Sequence, residues 1–126
     1  AGAAWNGVPT LAQLPHTLTV AALAAQYISS GWAWTPEADL TGYNHRPDGL
    51  ASRDDGTVAV EAELHQKATR RYDTITDRLL TEGHWTQVHY WCPQPVAQAL
   101  ERYCAANLRP DEAARIRILN LGRWAR

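Results

Sequence analysis

Three acidic side chains and a lysine lie close together in the middle of this 126-residue chain: Asp48, Glu61, Glu63 and Lys67. Carboxylate oxygens are hard ligands, and Mg²⁺ is typically held by one or two carboxylates together with water and substrate phosphate oxygens. A lysine ammonium is a compact charge that can neutralise negative charge on a phosphate. Residues of these types at this spacing therefore indicate metal-assisted chemistry on a phosphate ester.

A β-hairpin is the element that would bring these acids together. The tetrad Arg53-Asp54-Asp55-Gly56 contains an Asp-Gly dipeptide, which is typical of tight hairpin turns. The short segment 46–52 precedes the tetrad, and the alternating segment 57–63 follows it. If the two strands pair symmetrically about the middle of the tetrad, Asp48 lies directly across from Glu61.

Alternation along the second strand assigns its side chains to two faces. One face carries Val58, Val60 and Ala62, and the other carries Ala59, Glu61 and Glu63. The two glutamates therefore share a face, and Asp48 joins them there. Because like charges repel and a buried charge is costly without compensation, we expect a divalent cation, Mg²⁺ or Mn²⁺, at this patch.

Lys67 is the only lysine in the chain, since the other eleven cationic side chains are arginines. A single retained lysine favours a role that needs a compact and flexible ammonium. The helical pattern that follows the hairpin places Lys67 in the first turn of a helix, next to the acidic patch.

These residues resemble the metal-binding core of the PD-(D/E)xK nuclease superfamily, which has the restriction-endonuclease-like fold. The resemblance consists of Pro47-Asp48, a spacer across a hairpin, and Glu61-x-Glu63 with a nearby lysine. The run from Glu61 to Lys67, followed by Arg71-Tyr72, is more narrowly similar to the replication-relaxation family of plasmid and mobile-element proteins. In the superfamily the lysine normally lies two residues after the strand acid, where this chain has Glu63. Lys67 would fill that role from the next helix.

The resemblance implies a metal-dependent DNA nuclease that hydrolyses or nicks phosphodiester bonds in the replication or transfer of plasmids or mobile elements. Asp48 and Glu61 would hold Mg²⁺ or Mn²⁺, with Glu63 as a further ligand or a water-orienting group. Lys67 would stabilise the charge of the transition state. An additional DNA-binding domain or a partner protein would deliver the substrate, and a homodimer would be compatible with this assignment.

Polar side chains beside Lys67 would contact the DNA under this interpretation. Arg70 and Arg71 would bind backbone phosphates, and Gln66 would hydrogen-bond to a phosphate or a water. In the structural alternative, Gln66 is an ordinary exposed helix residue. Arg70 and Arg71 then form a solvated helix face, with intrahelical pairs such as Arg70 to Asp73 and Arg70 to Thr74.

The acidic patch has a structural explanation and a second functional one. Acids on a hairpin can form a solvated face that discourages edge-to-edge pairing, and Glu63 can favour the start of the next helix through its dipole. Lys67 can equally be an exposed helix residue. Glu63 at the usual lysine position favours a catalytically inactive module of the same fold that binds DNA or assembles with proteins. An unrelated α/β fold would leave the acids dispersed.

Other chemically active side chains give weaker indications. His45, three residues before Asp48, would lie near the site and assist a water or contact substrate, although a loop histidine without a role is commoner. Trp32 and Trp34 could stack on bases next to the site, but packing is their simpler role. The other histidines, among them His16, and the two cysteines show no zinc-site spacing.

Charge is distributed unevenly along the chain, although its net value is only −1. Residues 1–64 carry two arginines against seven acids, a net charge of −5, and residues 65–126 carry ten cations against six acids, a net charge of +4. An acidic cluster beside a basic half suits a metal site that faces a phosphate backbone. The small net charge argues against strong non-specific nucleic-acid binding by this domain alone.

Length predicts one domain over residues 1–126, with a loose lead-in over 1–15 and a tail over 122–126. No apolar run approaches the roughly eighteen residues of a membrane span, so we expect a cytoplasmic protein without membrane contact. The chain contains no methionine, even at position 1, so we expect it to be a domain excised from a longer protein.

Periodic apolar residues predict the elements around the hairpin. Helices are predicted from Thr17 to about Ser30, from Leu64 to Gly83 and from Pro95 to Arg109, and strands within 31–40, over 86–92 and over 115–121. The order α-β-β-β-α-β-α-β predicts an α/β fold in which helices flank a mixed β-sheet on both faces. The same order matches the restriction-endonuclease-like fold.

Overall fold

The computed structural model describes residues 16–124, with side chains described over 16–122. The strands are β1 (Ala33–Pro36), β2 (Gly49–Arg53), β3 (Gly56–Ala62), β4 (Gln87–Cys92) and β5 (Ile116–Asn120). The helices are α1 (His16–Ser29), α2 (Thr69–Glu82), α3 (Gln94–Asn107), α4 (Pro110–Ala113) and α5 (Leu121–Trp124), with a 3-10 turn at Glu37–Asp39. The predicted lead-in over 1–15 lies outside the described residues. None of these helices is both long enough and apolar enough to cross a membrane.

The five strands form one sheet in the order β1-β2-β3-β4-β5. Strands β1, β2 and β3 pair antiparallel, whereas β3, β4 and β5 pair in parallel. The change follows from the connections, because a tight turn joins antiparallel strands and a parallel pair needs a long crossover. Helices α2 and α3 supply these crossovers. The prediction of an α/β fold with a mixed sheet is therefore confirmed.

Helices cover both faces of the sheet, as predicted. Helix α1 packs Leu23 and Tyr27 against Val58 and Val60 of β3. Helices α2 and α3 cover the opposite face, and the core residues there include Ala59, Tyr72, Leu79, Tyr90, Leu100 and Tyr103. The side chains of β3 are therefore divided between two hydrophobic clusters, and Glu61 belongs to the face that α2 and α3 cover.

The hairpin has the register that its turn tetrad predicts. Gly49 pairs with Val60, and Arg53 pairs with Gly56 at the turn. Continuing this register by one residue places Asp48 opposite Glu61. The position of the two acids is thus determined by the two-residue turn Asp54-Asp55, several residues away from them.

Helix α2 begins at Thr69 and not at Leu64, so the prediction that Lys67 lies in its first turn is wrong. The backbone N–H of Glu63 donates to the carbonyl of Trp91 at 2.9 Å, which extends the parallel pairing beyond the last residue of β3. The chain then needs residues 64–68 to cross from the sheet to the helix. Lys67 lies in this connection, where its backbone N–H donates to the Tyr72 hydroxyl at 3.0 Å.

The C-terminal end also differs from its prediction. Residues 122–124 are not a tail but part of α5, the short helix that starts at Leu121. Leu121 is fully buried in the cluster on the α1 face, so burial of this side chain anchors the turn. Residues 125–126 lie outside the part of the chain that the structure describes.

Close packing against Gly49 positions the start of β2, immediately after Asp48. The indole ring of Trp34 on β1 lies over Gly49, and a Cβ atom at this position would overlap the ring. Trp34 also contacts Tyr27 of α1, with ring centroids 5.7 Å apart. Gly49 therefore allows β1 and α1 to pack closely where the candidate site begins.

Replacement of Gly49 by alanine is expected to lower the free energy of unfolding by about 1–3 kcal/mol, because overpacking a close contact costs that much. Urea titration followed by circular dichroism measures this change. In a Trp34→Leu background, Gly49→Ala should lower the free energy of unfolding by clearly less, because the indole ring that the new Cβ atom would overlap is absent. An equal cost in the two backgrounds would show that the overlap with Trp34 is not the cause.

Candidate metal and phosphate site

Two backbone hydrogen bonds join Asp48 and Glu61 across the hairpin. The N–H of Asp48 donates to Oε1 of Glu61 at 3.0 Å, and the N–H of Ala62 donates to Oδ2 of Asp48 at 2.8 Å. Each carboxylate is thus held by the backbone of the opposite strand. The structure brings these two acids together as the sequence predicts.

Burial makes Glu61 an unusual carboxyl group. The residue is only 7% exposed, and its pKa is raised to about 7, first because of burial. The hydrogen bond from His45 opposes this rise, and the negative charge of Asp48 contributes to it. A desolvated carboxylate beside a second carboxylate is the situation that a bound cation relieves.

Two histidines, from different parts of the fold, contact the two acids. Nε2 of His45 lies 2.6 Å from Oε2 of Glu61, and this hydrogen bond raises the pKa of His45. Nε2 of His16, at the start of α1, lies 3.1 Å from Oδ2 of Asp48. Proximity in sequence predicts His45 near the site, whereas no local pattern predicts His16 there, since only the packing of α1 on the sheet brings His16 to Asp48.

Glu63 and Lys67 form an ion pair beside this patch. Glu63 is 7% exposed, and both of its carboxylate oxygens accept hydrogen bonds from Nζ of Lys67. A cavity of about 370 Å³ opens here and is lined by Glu63, Lys67, Gln66 and His16, among others. The predicted proximity of the lysine to the acids is therefore present, although Lys67 reaches them from a loop and not from a helix.

The donor set of the patch can be compared with what a metal ion requires. Within residues 16–122, no three His, Cys, Asp or Glu side chains are arranged as the ligands of a metal ion. Asp48 and Glu61 provide two adjacent carboxylates, and Oδ1 of Asp48 has no hydrogen bond to the described residues. Two carboxylates completed by water fit Mg²⁺ or Mn²⁺. Glu63 is directed to Lys67, so its role as a third ligand stays a prediction.

Of the predicted phosphate contacts, Gln66 lines this cavity, whereas Arg70 and Arg71 follow it in the chain without lining it. Arg70 and Arg71 are exposed in the first turn of α2, and Gln66 is exposed in the preceding loop. The alternative pairing of Arg70 with Asp73 is not present among the described residues, and Oδ1 of Asp73 accepts a hydrogen bond from the Tyr103 hydroxyl at 2.5 Å. Both arginines are without an ion pair among the described residues, so their guanidinium groups are available to an anion.

The two tryptophans before the hairpin do not border the acidic patch. Trp32 and Trp34 pack into the cluster on the α1 face, the opposite side of the sheet from Glu61. Trp32 makes an edge contact with Tyr27, and the guanidinium of Arg53 lies 3.7 Å from the centre of its ring. The prediction that they lie next to the acids is therefore wrong, and both indoles pack on the α1 face instead.

Comparison with known proteins adds no assignment. No protein-family model matches this chain, and no curated protein matches it significantly. The resemblance to the PD-(D/E)xK superfamily thus stays a prediction that depends on the motif.

In metal-free buffer with EDTA, the protein is expected to lose stability between pH 6.5 and pH 8. Because the pKa of Glu61 in the folded protein, about 7, lies above its ordinary value of 4.5, this carboxyl contributes stability at low pH that disappears as the pH rises through about 7. The loss attributable to Glu61 is about 1 kcal/mol over this interval. Thermal melting at several pH values measures it.

The Glu61→Gln variant provides the comparison for this experiment. Glutamine does not titrate, so the variant should show a clearly smaller fall in melting temperature between pH 6.5 and pH 8. The same fall in both proteins would mean that another group is responsible and that Glu61 is not desolvated as described.

Proposed function

We propose that this chain is a metal-dependent DNA nuclease domain of the PD-(D/E)xK type that hydrolyses or nicks phosphodiester bonds. One observation carries the proposal: the hairpin places Asp48 and the buried Glu61 side by side, each held by a backbone N–H of the opposite strand. Paired, partly desolvated carboxylates next to a lysine and free arginines suit a divalent cation facing a phosphate backbone.

Asp48 and Glu61 would hold Mg²⁺ or Mn²⁺ in this proposal. When bound, the ion would polarise the scissile phosphate and lower the pKa of a water molecule for in-line attack. His45 and His16 orient the two carboxylates through their hydrogen bonds, a function for which outer partners of metal ligands are commonly used. The chain thus supplies two ligands and a hydrogen-bond partner for each of them.

Lys67 is the group that would balance charge on the substrate. Its ammonium is paired with Glu63, and a phosphate entering the adjacent cavity would compete for the same ammonium. Arg70, Arg71 and Gln66 extend the basic and polar surface from that cavity along the first turn of α2, which suits contacts to neighbouring phosphates. A nuclease of plasmid or mobile-element DNA would act in the cytoplasm, with a further domain or partner protein to grip the duplex.

A second candidate function is supported by one specific observation. Glu63 occupies the position where the superfamily normally has its lysine. Both carboxylate oxygens of Glu63 accept hydrogen bonds from Lys67, the residue that would take over the role of that lysine. If this pair persists when DNA is present, the domain would bind DNA or assemble with proteins without cleaving. DNA binding that survives Asp48→Asn, in a protein that never cleaves, would indicate this alternative.

Incubation with supercoiled plasmid and Mn²⁺ tests the nuclease proposal. We expect the wild type to nick the plasmid, EDTA to stop nicking, and Asp48→Asn or Glu61→Gln to slow it on the order of a hundredfold or more. The matched control is Asp55→Asn, which removes an acid from the turn of the same hairpin, where the side chain is 84% exposed.

Calorimetric titration with Mn²⁺ gives a second measurement that does not depend on turnover. The wild type and Asp55→Asn should bind Mn²⁺ alike, whereas Asp48→Asn and Glu61→Gln should bind it more weakly. Equal nicking by all four proteins would identify a contaminating nuclease. Equal Mn²⁺ binding by all four would rule out the proposed ligands.

A further inference from the structure

A second cavity lies on the opposite face of the sheet from the acidic patch. It has a volume of about 280 Å³, and its walls include Tyr27 and Trp32 on the α1 side and His89, Trp91 and Arg117 on the sheet. His89 and Trp91 pair in register with Val60 and Ala62 of β3, which belong to the α1 face. The cavity therefore shares no lining residue with the site of Asp48 and Glu61.

The aromatic wall of this cavity is held by a chain of hydrogen bonds. Nε1–H of Trp91 can only donate, and it donates to the Tyr27 hydroxyl oxygen at 3.0 Å. The Tyr27 hydroxyl also hydrogen-bonds to Nδ1 of His89 at 2.7 Å. Nε2 of His89 lies 3.2 Å from Oε1 of Gln87. These polar atoms are satisfied by one another, so the wall presents ring surfaces and not unpaired polar groups.

Arg117 is the charged group at this cavity. It neighbours His89 on the adjacent strand, and its side chain makes no ion pair or hydrogen bond with the described residues. By contrast, Arg115, which directly precedes β5, donates to the carbonyls of Leu80 and Trp85. Burial and the charge of Arg117 lower the pKa of His89 to about 4, so the histidine is neutral at physiological pH.

The charge and the aromatic surface of the cavity together suit a ligand that combines an anionic group with a flat ring. No acidic residue lines it, and Arg117 supplies positive charge in a planar, bidentate form that matches phosphate oxygens. Tyr27, Trp32 and Trp91 offer aromatic surface for a flat ring. Gln26 and Ser30, at the end of α1, add neutral polar groups at the rim. The volume is slightly below the roughly 300–1,000 Å³ that is typical of small-molecule sites, which suits a ligand of the size of one nucleotide unit.

We propose that this cavity binds one nucleotide unit, with its phosphate on Arg117 and its base against the wall of Tyr27, Trp32 and Trp91. The site goes beyond the proposed nuclease activity and does not depend on whether Asp48 and Glu61 hold a metal ion. A free nucleotide and a residue of a single strand present the same chemistry to it.

Binding of thymidine 5′-monophosphate, of a fluorescein-labelled dT decamer and of inorganic phosphate tests this proposal, in EDTA so that no strand is cleaved. Calorimetry serves for the small ligands and fluorescence anisotropy for the decamer. Arg117→Gln should weaken binding of the nucleotide and the decamer by about tenfold or more. Arg102→Gln, which changes an exposed arginine on α3, should leave both unchanged. Both side chains are exposed, and melting curves check that the variants fold.

The outcomes distinguish a free nucleotide from a single strand as the ligand, and the aromatic cavity from the acidic patch as the binding site. Similar affinity for nucleotide and decamer would assign the cavity to free nucleotides, and tighter decamer binding would assign it to single strands; both support the proposal. No binding by the wild type would overturn it, as would equal weakening in the two arginine variants or phosphate binding as tight as nucleotide binding. Asp48→Asn should bind the nucleotide normally even if plasmid nicking fails, and a loss there would place the ligand at the acidic patch instead.

Discussion

The register between β2 and β3 is the constraint on which the candidate site depends. Strand side chains alternate between faces, so a slip of one residue would move Glu61 from the face of α2 and α3 to the face of α1. The two-residue turn and the reciprocal hydrogen bonds of Asp48 with Glu61 and Ala62 hold the strands in one alignment. The arrangement of the acids is therefore a consequence of backbone pairing and not of side-chain packing alone.

Burial of Glu61 is tolerated because its oxygens have partners. One oxygen accepts from the Asp48 amide and the other contacts His45, so the residue is desolvated without losing hydrogen bonds. The remaining imbalance is electrostatic, since Asp48 adds a second negative charge and only histidines face the two groups directly. Lys67 does not correct it, because its ammonium is engaged by Glu63. The patch thus combines a buried, hydrogen-bonded carboxyl group with negative charge that only the two histidines oppose at short range.

Local patterns were sufficient to predict the hairpin, its register, the two faces of β3 and the α/β class, because each follows from a turn dipeptide or from the period of apolar residues. Features that depend on packing between distant segments could not be predicted. His16 reaches Asp48 only because α1 crosses the sheet at that point. The apolar residues Leu64 and Ala68 have helical spacing and so predict a longer α2. The hydrogen bond of Glu63 to β4 instead keeps the start of this segment extended. Proximity in sequence suggests that Trp32 and Trp34 lie beside the acids, but both pack on the other face of the sheet, Trp34 from β1 and Trp32 from the residue before it.

The loop position of Lys67 has a consequence for how such sites vary among proteins. A side chain on a connection between a strand and a helix can be shifted by one or two residues through insertion or deletion without disturbing the sheet or the helix core. The number of residues between Glu61 and the lysine is then weakly constrained, whereas the number of residues between Asp48 and Glu61 is set by the hairpin. Sequence patterns that require a fixed distance to the lysine would overlook chains built in this way, and patterns anchored on the hairpin acids alone would find them.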